Sequence, residues 1–262
     1  MKWYRIHALL IRHLYLYQRS FPRLMDVFYW PVMALLVWGF FSVYLQKQNA
    51  ENINIVTVLL GALIFWEFLN QSQKAVSVAF LEDVWERNLL NIFVTPLRVS
   101  EFLTTTVLLG LVRIALISIV MGVLAFFLYH FNLLLFGFFL IPFVVNLLIF
   151  GWTLGIVTTA IILRYGSQAQ ILAFGFIFII QPFSAVFYPV SALPNTLQIV
   201  AYLIPTTYVF EGMRALIRTG QLPYMLLTLS TILNMVYLVL SLFFFNLMFK
   251  RTKARGALLK LE

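Results

Sequence analysis

Six long apolar stretches constrain this chain more than any other feature of its sequence. They cover roughly residues 27–45, 53–72, 102–128, 133–163, 169–188 and 223–248. A helix of about 20 apolar residues matches the thickness of the hydrocarbon core of a bilayer. The chain is 63% hydrophobic and only 10% charged, and a water-soluble fold cannot cover that much apolar surface. The sequence therefore predicts an all-α polytopic membrane protein with six transmembrane helices, TM1 to TM6.

The positions of Lys and Arg predict the orientation of these helices. Six spans place both ends of the chain on one side of the membrane, and residues 1–23 and the tail 249–262 each carry five basic residues. Four more lie in loops on that side, against three on the other. Basic residues concentrate in cytoplasmic loops. Both termini are therefore predicted to be cytoplasmic, in a multi-pass protein of the cell (inner) membrane, and the net charge of +9 does not require nucleic acid as a partner.

Residues 1–23 contain an amphipathic pattern. The apolar positions are Trp3, Ile6, Leu10, Leu14 and Tyr17, and the basic ones are Lys2, Arg5, Arg12 and Arg19. Such a pattern favours an interfacial helix lying on anionic membrane lipids, while a cytosolic helix packed on other loops is the alternative. Phe21-Pro22 is predicted to end this helix before TM1.

A second amphipathic helix is predicted at residues 81–93, in the cytoplasmic loop between TM2 and TM3. The apolar side consists of Leu81, Val84, Trp85, Leu89, Ile92 and Phe93, and the charged side of Glu82, Asp83, Glu86 and Arg87. A charged helix joined to two spans is suited to receive force from a soluble partner. A solvated loop helix with no partner is the alternative interpretation.

The segment 189–222 differs from the spans that flank it. Pro189, Pro194 and Pro205 interrupt it, and its apolar runs are too short to cross the membrane. Short interrupted runs are typical of re-entrant or interfacial helices, here on the external side before TM6 (223–248). Glu211 and Arg214 are three positions apart, a spacing that allows an ion pair on one helix face.

Two charged residues fall inside predicted spans, Glu67 in TM2 and Arg113 in TM3. An ionised side chain at the bilayer centre costs about 2.5–3.5 kcal/mol, so each should face protein or water. Three interpretations stay open: an ion pair between them, a polar lining of a transport pathway, or Arg113 reaching the cytoplasmic headgroups with Glu67 near the same interface.

Several functional classes are disfavoured by what the sequence lacks. Cysteine is absent, which removes thiol chemistry and thiolate metal sites. His7, His13 and His130 share no span with an acidic residue at metal-ligand spacing, so neither a metal site nor a catalytic cluster is expected. No G-x-x-x-x-G-K-[ST] phosphate loop occurs. The aromatic residues, 17% of the chain, do not select a substrate, because aromatic side chains also serve as lipid-facing bulk and interfacial belts.

Two groups of residues resemble a known family. The first runs from Glu86-Arg87 through Thr95-Pro96-Leu97 to Glu101, with Asn88-Leu89-Leu90-Asn91 where the family usually has Gly-Thr-Leu-Glu. The second comprises Phe187-Tyr188-Pro189, Leu193-Pro194, Leu197-Gln198, Pro205-Thr206-Thr207-Tyr208, Glu211 and Arg214. With the six spans and the basic N-terminal helix, they resemble the ABC-2 type transporter permeases over essentially the whole chain, 1–262, as one transmembrane domain.

The resemblance implies an exporter built from two permease subunits, here expected as a homodimer, and two separate ABC ATPase subunits that carry the ATP and Mg. Glu82, Asp83, Trp85, Glu86 and Arg87 would then belong to a coupling helix seated on the ATPase. Pro189, Pro194, Pro205, Tyr208, Glu211 and Arg214 would belong to an external gate. Family cargoes include polysaccharides, lipid-linked glycans, lipids and drugs. An ATP-independent secondary transporter or channel is the alternative function.

Overall fold

The fold is a bundle of helices, seen in a computed structural model that describes residues 1–48, 54–86 and 95–254. These three ranges contain nine α-helices and no β-strand. The helices are α1 (Trp3–Arg19), α2 (Phe21–Gln48), α3 (Ile55–Trp85), α4 (Val99–Tyr129), α5 (Leu140–Tyr165), α6 (Gln170–Ile180), α7 (Asn195–Tyr202), α8 (Pro205–Thr219) and α9 (Tyr224–Ala254). Ser20 has extended backbone between α1 and α2, at the break predicted for Phe21-Pro22.

Five helical segments are long and apolar enough to cross a membrane. They are α2, α3, α4, the segment Gly137–Tyr165 that contains α5, and α9. They correspond to predicted TM1, TM2, TM3, TM4 and TM6. Helix α3 has 31 residues and is therefore about 46 Å long, which exceeds the roughly 30 Å hydrocarbon core. It extends beyond the membrane at one end or both.

The predicted TM5 at 169–188 differs from the other five. Helix α6 has only 11 residues, about 16 Å, and short 3-10 turns at Gly166–Ala169 and Gln181–Phe183 flank it. The apolar run continues beyond the helix, but Pro182 provides no amide hydrogen to a helix and Ala185 takes a left-handed backbone with φ 51°. Length and composition therefore support five of the six predicted spans.

Helix α3 lies at the centre of the bundle, between α2, α4, α5 and α6. Every residue from Leu60 to Val84 is buried, so this helix has no side facing lipid. Its closest approach is to α5, where a Cβ added to Gly151 would lie 2.7 Å from the Leu69 carbonyl oxygen. At Gly155 the corresponding distance to the Gln73 carbonyl oxygen is 2.8 Å. Small residues permit this close backbone contact between membrane helices.

We predict that Gly151→Ala lowers the stability of the protein by about 1–3 kcal/mol, because the new methyl group would overlap Leu69 and Ser72 on α3. Thermal unfolding of the purified variant in detergent measures the effect. The matched control is Gly175→Ala in α6, where an added Cβ meets no atom within 4 Å. Equal midpoints for the two variants would contradict the packing described for α3 and α5.

Candidate functional site

Arginine and acidic side chains meet at the end of the bundle where α3 finishes and α4 begins. We call this group the acid–arginine cluster. Its members are Arg5, Arg12, Arg23, Glu82, Asp83, Glu86 and Glu101. The arginines come from α1 and the start of α2, whereas the acids come from the last turn of α3 and the first turn of α4. The cluster therefore joins four helices by charge.

Arg12 pairs with a buried acid of the cluster. Its Nη2 lies 2.7 Å from Asp83 Oδ1 and 3.5 Å from Glu86 Oε2, and Asp83 is only 1% exposed. Arg23 reaches the same turn of α3 from the other side, with its Nε 3.2 Å from Glu82 Oε1 and its Nη2 on Glu86 Oε1. Glu86 is shared between the two arginines, so α1 and α2 both hold the end of α3.

Glu101 holds the other side of the cluster from the first turn of α4. Its carboxylate accepts the backbone N–H of Lys2 at 2.7 Å and that of Arg98 at 2.9 Å. Arg5 lies 3.4 Å away and also donates to the Pro96 carbonyl. A carboxylate in the first turn caps free amides and complements the positive end of the helix dipole. Glu101 therefore fixes α1 against the start of α4.

The structure changes the prediction of a separate amphipathic helix at residues 81–93. Residues 81–85 are the end of α3 rather than part of a second helix, and residues 87–94, including Arg87, lie outside the described residues. Glu82 and Asp83 were predicted on a face open to a partner, but they are 8% and 1% exposed because Arg12 and Arg23 cover them. Trp85, which is half exposed, and Glu86 remain accessible at this end.

Helix α1 also packs differently from the prediction. Its buried side is Ile6, Leu9, His13 and Tyr17, whereas Trp3, Tyr4, Ile11 and Tyr15 are exposed. The predicted apolar side placed Trp3 with Ile6 and Tyr17. The basic residues Arg5 and Arg12, expected to meet anionic lipid, face protein carboxylates instead. Leu10 and Leu14 are partly buried against the core, so Trp3 is the one residue of the predicted apolar side that is exposed. Contact of α1 with lipid stays a prediction.

Arg113 contacts α1 and not Glu67. Its guanidinium carbon lies 4.4 Å from the centre of the Tyr17 ring, a cation–π contact. Arg113 is 3% exposed, and its nitrogens have no hydrogen-bond partner in the described ranges. Nearby His13 is 1% exposed. Burial, followed by the charges of Arg12, Arg113 and Arg23, lowers the pKa of His13 from 6.5 to about 3.

Glu67 lies on α3 at a cavity of about 400 Å³ between α2, α3, α6 and residues 181–188. Asn70 Nδ2 donates to its carboxylate at 3.4 Å. No Lys or Arg in the described part of the chain lies within 4.0 Å of it, and Lys74, two turns along α3, is paired with Asp26 at 3.1 Å. The proposed ion pair with Arg113 therefore does not form among these residues, which leaves Glu67 as a polar lining residue.

The segment 189–222 contains two short helices, α7 and α8. Each proline lies at the start of a helical element. Pro189 immediately precedes the turn Val190–Ala192, Pro194 immediately precedes α7, and Pro205 is the first residue of α8. Tyr208 Oη donates to the Tyr202 carbonyl at 2.8 Å. The short helices are therefore fixed at their starts by proline, whose backbone angle suits the first helical turn.

Glu211 and Arg214 form the ion pair that their spacing allows, at 3.2 Å. Arg214 also donates to the carbonyls of Ala185 at 2.7 Å and Val186 at 3.2 Å, while Glu211 accepts the backbone N–H of Val190 at 2.7 Å. The pair thus does more than bridge one helix, because it attaches α8 to the irregular segment 184–190.

Sequence patterns did not identify Arg12 and Arg23 as site residues, and they pointed to Glu101 only through the family resemblance. The available signal was charge complementarity between the basic segment 1–23 and the acids at 82–86. No group of three or more His, Cys, Asp or Glu residues able to hold a metal ion occurs in the three described ranges.

Comparison with protein families gives a match over most of the chain. A sequence model described as ABC-2 type transporter matches residues 5–217 of the 262, from α1 to near the end of α8. No curated protein matches the chain.

The Arg12–Asp83 pair predicts a non-additive mutation cycle. Removing one partner leaves the other charge buried, whereas removing both does not. We expect Arg12→Gln and Asp83→Asn each to destabilise the protein, and the double variant to be about 1–3 kcal/mol more stable than the sum of the single effects predicts. Thermal unfolding in detergent gives the four stabilities. Additive effects, or an equal loss in the control Arg19→Gln at an exposed site of α1, would contradict a buried pair.

His13 predicts a pH dependence of stability. Between pH 6.5 and about 3 the unfolded chain binds a proton at His13 that the folded chain does not, so stability falls as the pH decreases, by at most about 1.4 kcal/mol per pH unit. We expect His13→Leu to lose less stability than the wild type between pH 7.5 and pH 5.5. His7→Leu, at an exposed site of the same helix, should retain the wild-type slope. The prediction is wrong if His13→Leu also retains the wild-type dependence of stability on pH.

Proposed function

Because the chain belongs to the ABC-2 type transporter family, we propose that it is the permease subunit of an ATP-driven exporter, powered by a separate ATPase. Membership in this family makes the chain a membrane transport component, and its apolar helices make it a multi-pass membrane protein. The exporter would move a polysaccharide, lipid-linked glycan, lipid or drug out of the cytoplasm. Its ATP and Mg would be bound by the ATPase.

The acid–arginine cluster is the observation that supports a motor-driven mechanism. It lies next to the segment 87–94 that connects α3 to α4. Arg12 and Arg23 connect α1 and α2 to the end of α3, and Glu101 connects α1 to α4. A displacement at the connecting segment would therefore reach four helices directly. A carrier that works without a soluble partner has less need of such a linkage.

The proposed ATPase contact is the accessible part of this end of the bundle. Trp85 is 50% exposed and stacks on Phe174 of α6, with ring centres 6.5 Å apart. Glu86 is 36% exposed at its side chain. We assign contact with the ATPase to Trp85, Glu86 and Arg87. Glu82 and Asp83, which are covered by arginines, would transmit force and not touch the partner.

The proposed complex has two permease copies, as a homodimer, and two ATPase subunits. In the proposed topology, Gly166–Phe183 serves as the fifth of six spans, so that both termini are cytoplasmic and the protein lies in the inner membrane. The segment with α7 and α8 is then external. Its attachment to residues 184–190 through Glu211 and Arg214 is suited to an exit gate.

The test of the proposed function is co-purification of the tagged chain with an ABC ATPase expressed beside it, followed by ATP hydrolysis in lipid vesicles with candidate cargoes. We expect a stable complex whose hydrolysis rate responds to a transported compound. If no ATPase associates and transport proceeds without ATP, the chain works as a secondary transporter or channel and the proposal is wrong.

Changes at the accessible end should weaken the complex without unfolding the permease. We expect Trp85→Ala combined with Glu86→Gln to reduce ATPase recovery at least tenfold, because aromatic and charged contacts at an interface centre dominate binding. Tyr224→Ala, at an exposed residue that begins α9 at the opposite end of the bundle, is the control. Pull-down yields are compared at equal permease amounts. Full recovery with the double variant would place the ATPase contact elsewhere.

A further inference from the structure

The Glu67 cavity has the chemistry of a binding site for a positively charged ligand. Its volume of about 400 Å³ lies within the usual range for small-molecule sites, roughly 300–1,000 Å³. The lining residues that matter are Glu67, Trp38, Trp66, Phe178, Phe187 and Tyr188. We propose that this cavity binds an amphipathic organic cation, such as an amine or phosphonium attached to apolar groups.

The carboxylate supplies the first argument. Glu67 is 7% exposed and lies about 18 Å along α3 from its first residue, within the apolar part of the span. A charged residue at such a depth is costly and marks a functional site unless protein charges neutralise it. The nearest basic residue on its helix face, Lys74, is already paired with Asp26. A cationic ligand would supply the direct ion-pair partner that Glu67 does not have among the described residues.

The aromatic side chains supply the second argument. The Trp38 and Phe187 rings stack with their centres 4.5 Å apart and their planes 12° apart, which forms one rigid wall. Phe178 of α6 forms part of another side. Aromatic faces attract cations as well as apolar groups, so a carboxylate among them recognises both halves of an amphipathic cation.

The remaining lining chemistry argues against other cargoes. None of the lining residues is basic, so the cavity offers no positive charge to a phosphate or carboxylate ligand, and Glu67 would repel it. The hydroxyl of Tyr188 donates to the Pro182 carbonyl at 2.5 Å and is therefore not available to donate to a sugar. A glycan needs many donors and acceptors, and besides the Glu67 carboxylate the lining offers only the Gln181 amide and the two indole N–H groups of Trp38 and Trp66.

Binding to the full chain in nanodiscs of zwitterionic lipid tests the inference. The probe is labelled tetraphenylphosphonium, measured by equilibrium dialysis against empty nanodiscs, and tetraphenylborate is the counterpart of similar shape and opposite charge. We expect saturable binding of the cation, one per chain, and no saturable binding of the anion. Binding of both ions alike would show that the carboxylate does not select charge, and would overturn the proposal.

Variants distinguish the cavity from the rest of the surface. Glu67→Gln should weaken cation binding at least tenfold, Glu67→Asp should retain most of it, and Trp38→Leu should weaken it severalfold. Trp30→Leu on the same helix, at a site that is 64% exposed and does not line the cavity, should bind as the wild type. If Glu67→Gln does not fold, the Trp38→Leu and Trp30→Leu variants still test the proposal, because equal cation affinities of these two variants would overturn it.

This inference names a cargo class for the exporter, and in that respect rests on the proposed function. The cation-binding proposal and the exporter proposal are tested separately, because the nanodiscs contain no ATPase. Absence of cation binding leaves the exporter proposal intact, whereas failure of ATPase co-purification leaves the binding site intact. Maltose is the competitor that tests for a glycan site. If maltose displaces the cation and the Glu67→Gln variant still binds maltose as the wild type does, the cavity is a glycan site and the cation proposal is wrong.

Discussion

The burial of α3 from Leu60 to Val84 is the constraint on which the rest of the structure depends. Its residues from Leu60 to Val84 include a polar run, Asn70 to Lys74, in the centre of the bundle. Water is not available in the hydrocarbon core to satisfy polar groups, and neighbouring helices supply partners to two residues of this run. Asp26 of α2 pairs with Lys74, and the Ala173 carbonyl of α6 accepts from Gln73 at 3.2 Å. The positions of α2 and α6 around α3 follow from these partners and from the close contact with α5.

The need to match charges also explains the contacts at the end of α3. At its end the three acids of the last turn are matched by arginines of α1 and α2, so charges that would be costly near lipid neutralise each other within one chain. Basic residues near the N-terminus therefore hold the helices together. The orienting role that the positive-inside rule predicts for them would come in addition. Near its middle α3 carries Glu67, whose charge has no such match among the described residues.

Patterns within one segment of the sequence predicted the features that depend on neighbouring residues of that segment. Hydropathy located five spans, and the three-residue spacing of Glu211 and Arg214 predicted their ion pair, because both depend on neighbours along one helix. Contacts between distant segments were not predictable in this way. Arg12 and Asp83 are 71 positions apart, and Trp38 meets Phe187 across two different elements.

Hydropathy also overestimated the length of the fifth helix, because an apolar run does not show where a helix ends, here before Pro182 and the left-handed Ala185. Burial of Glu82 and Asp83 was missed because amphipathicity shows which side of a helix is polar, not what covers it.

Helix α6 connects the two regions to which we assign function. Phe174 stacks on Trp85 at the proposed ATPase contact and lies over the Lys74 ammonium, 5.9 Å from the ring centre. One turn further along, Phe178 lines the Glu67 cavity. A displacement of Trp85 would therefore act on the helix that forms one wall of the cavity, without passing through a loop.

Another wall of the cavity contains Phe187, in the segment that Arg214 attaches to α8. Movement of residues 184–190 and movement of α6 would thus change the same cavity from two sides. In the proposed exporter, this is how ATP hydrolysis would act on a bound cargo.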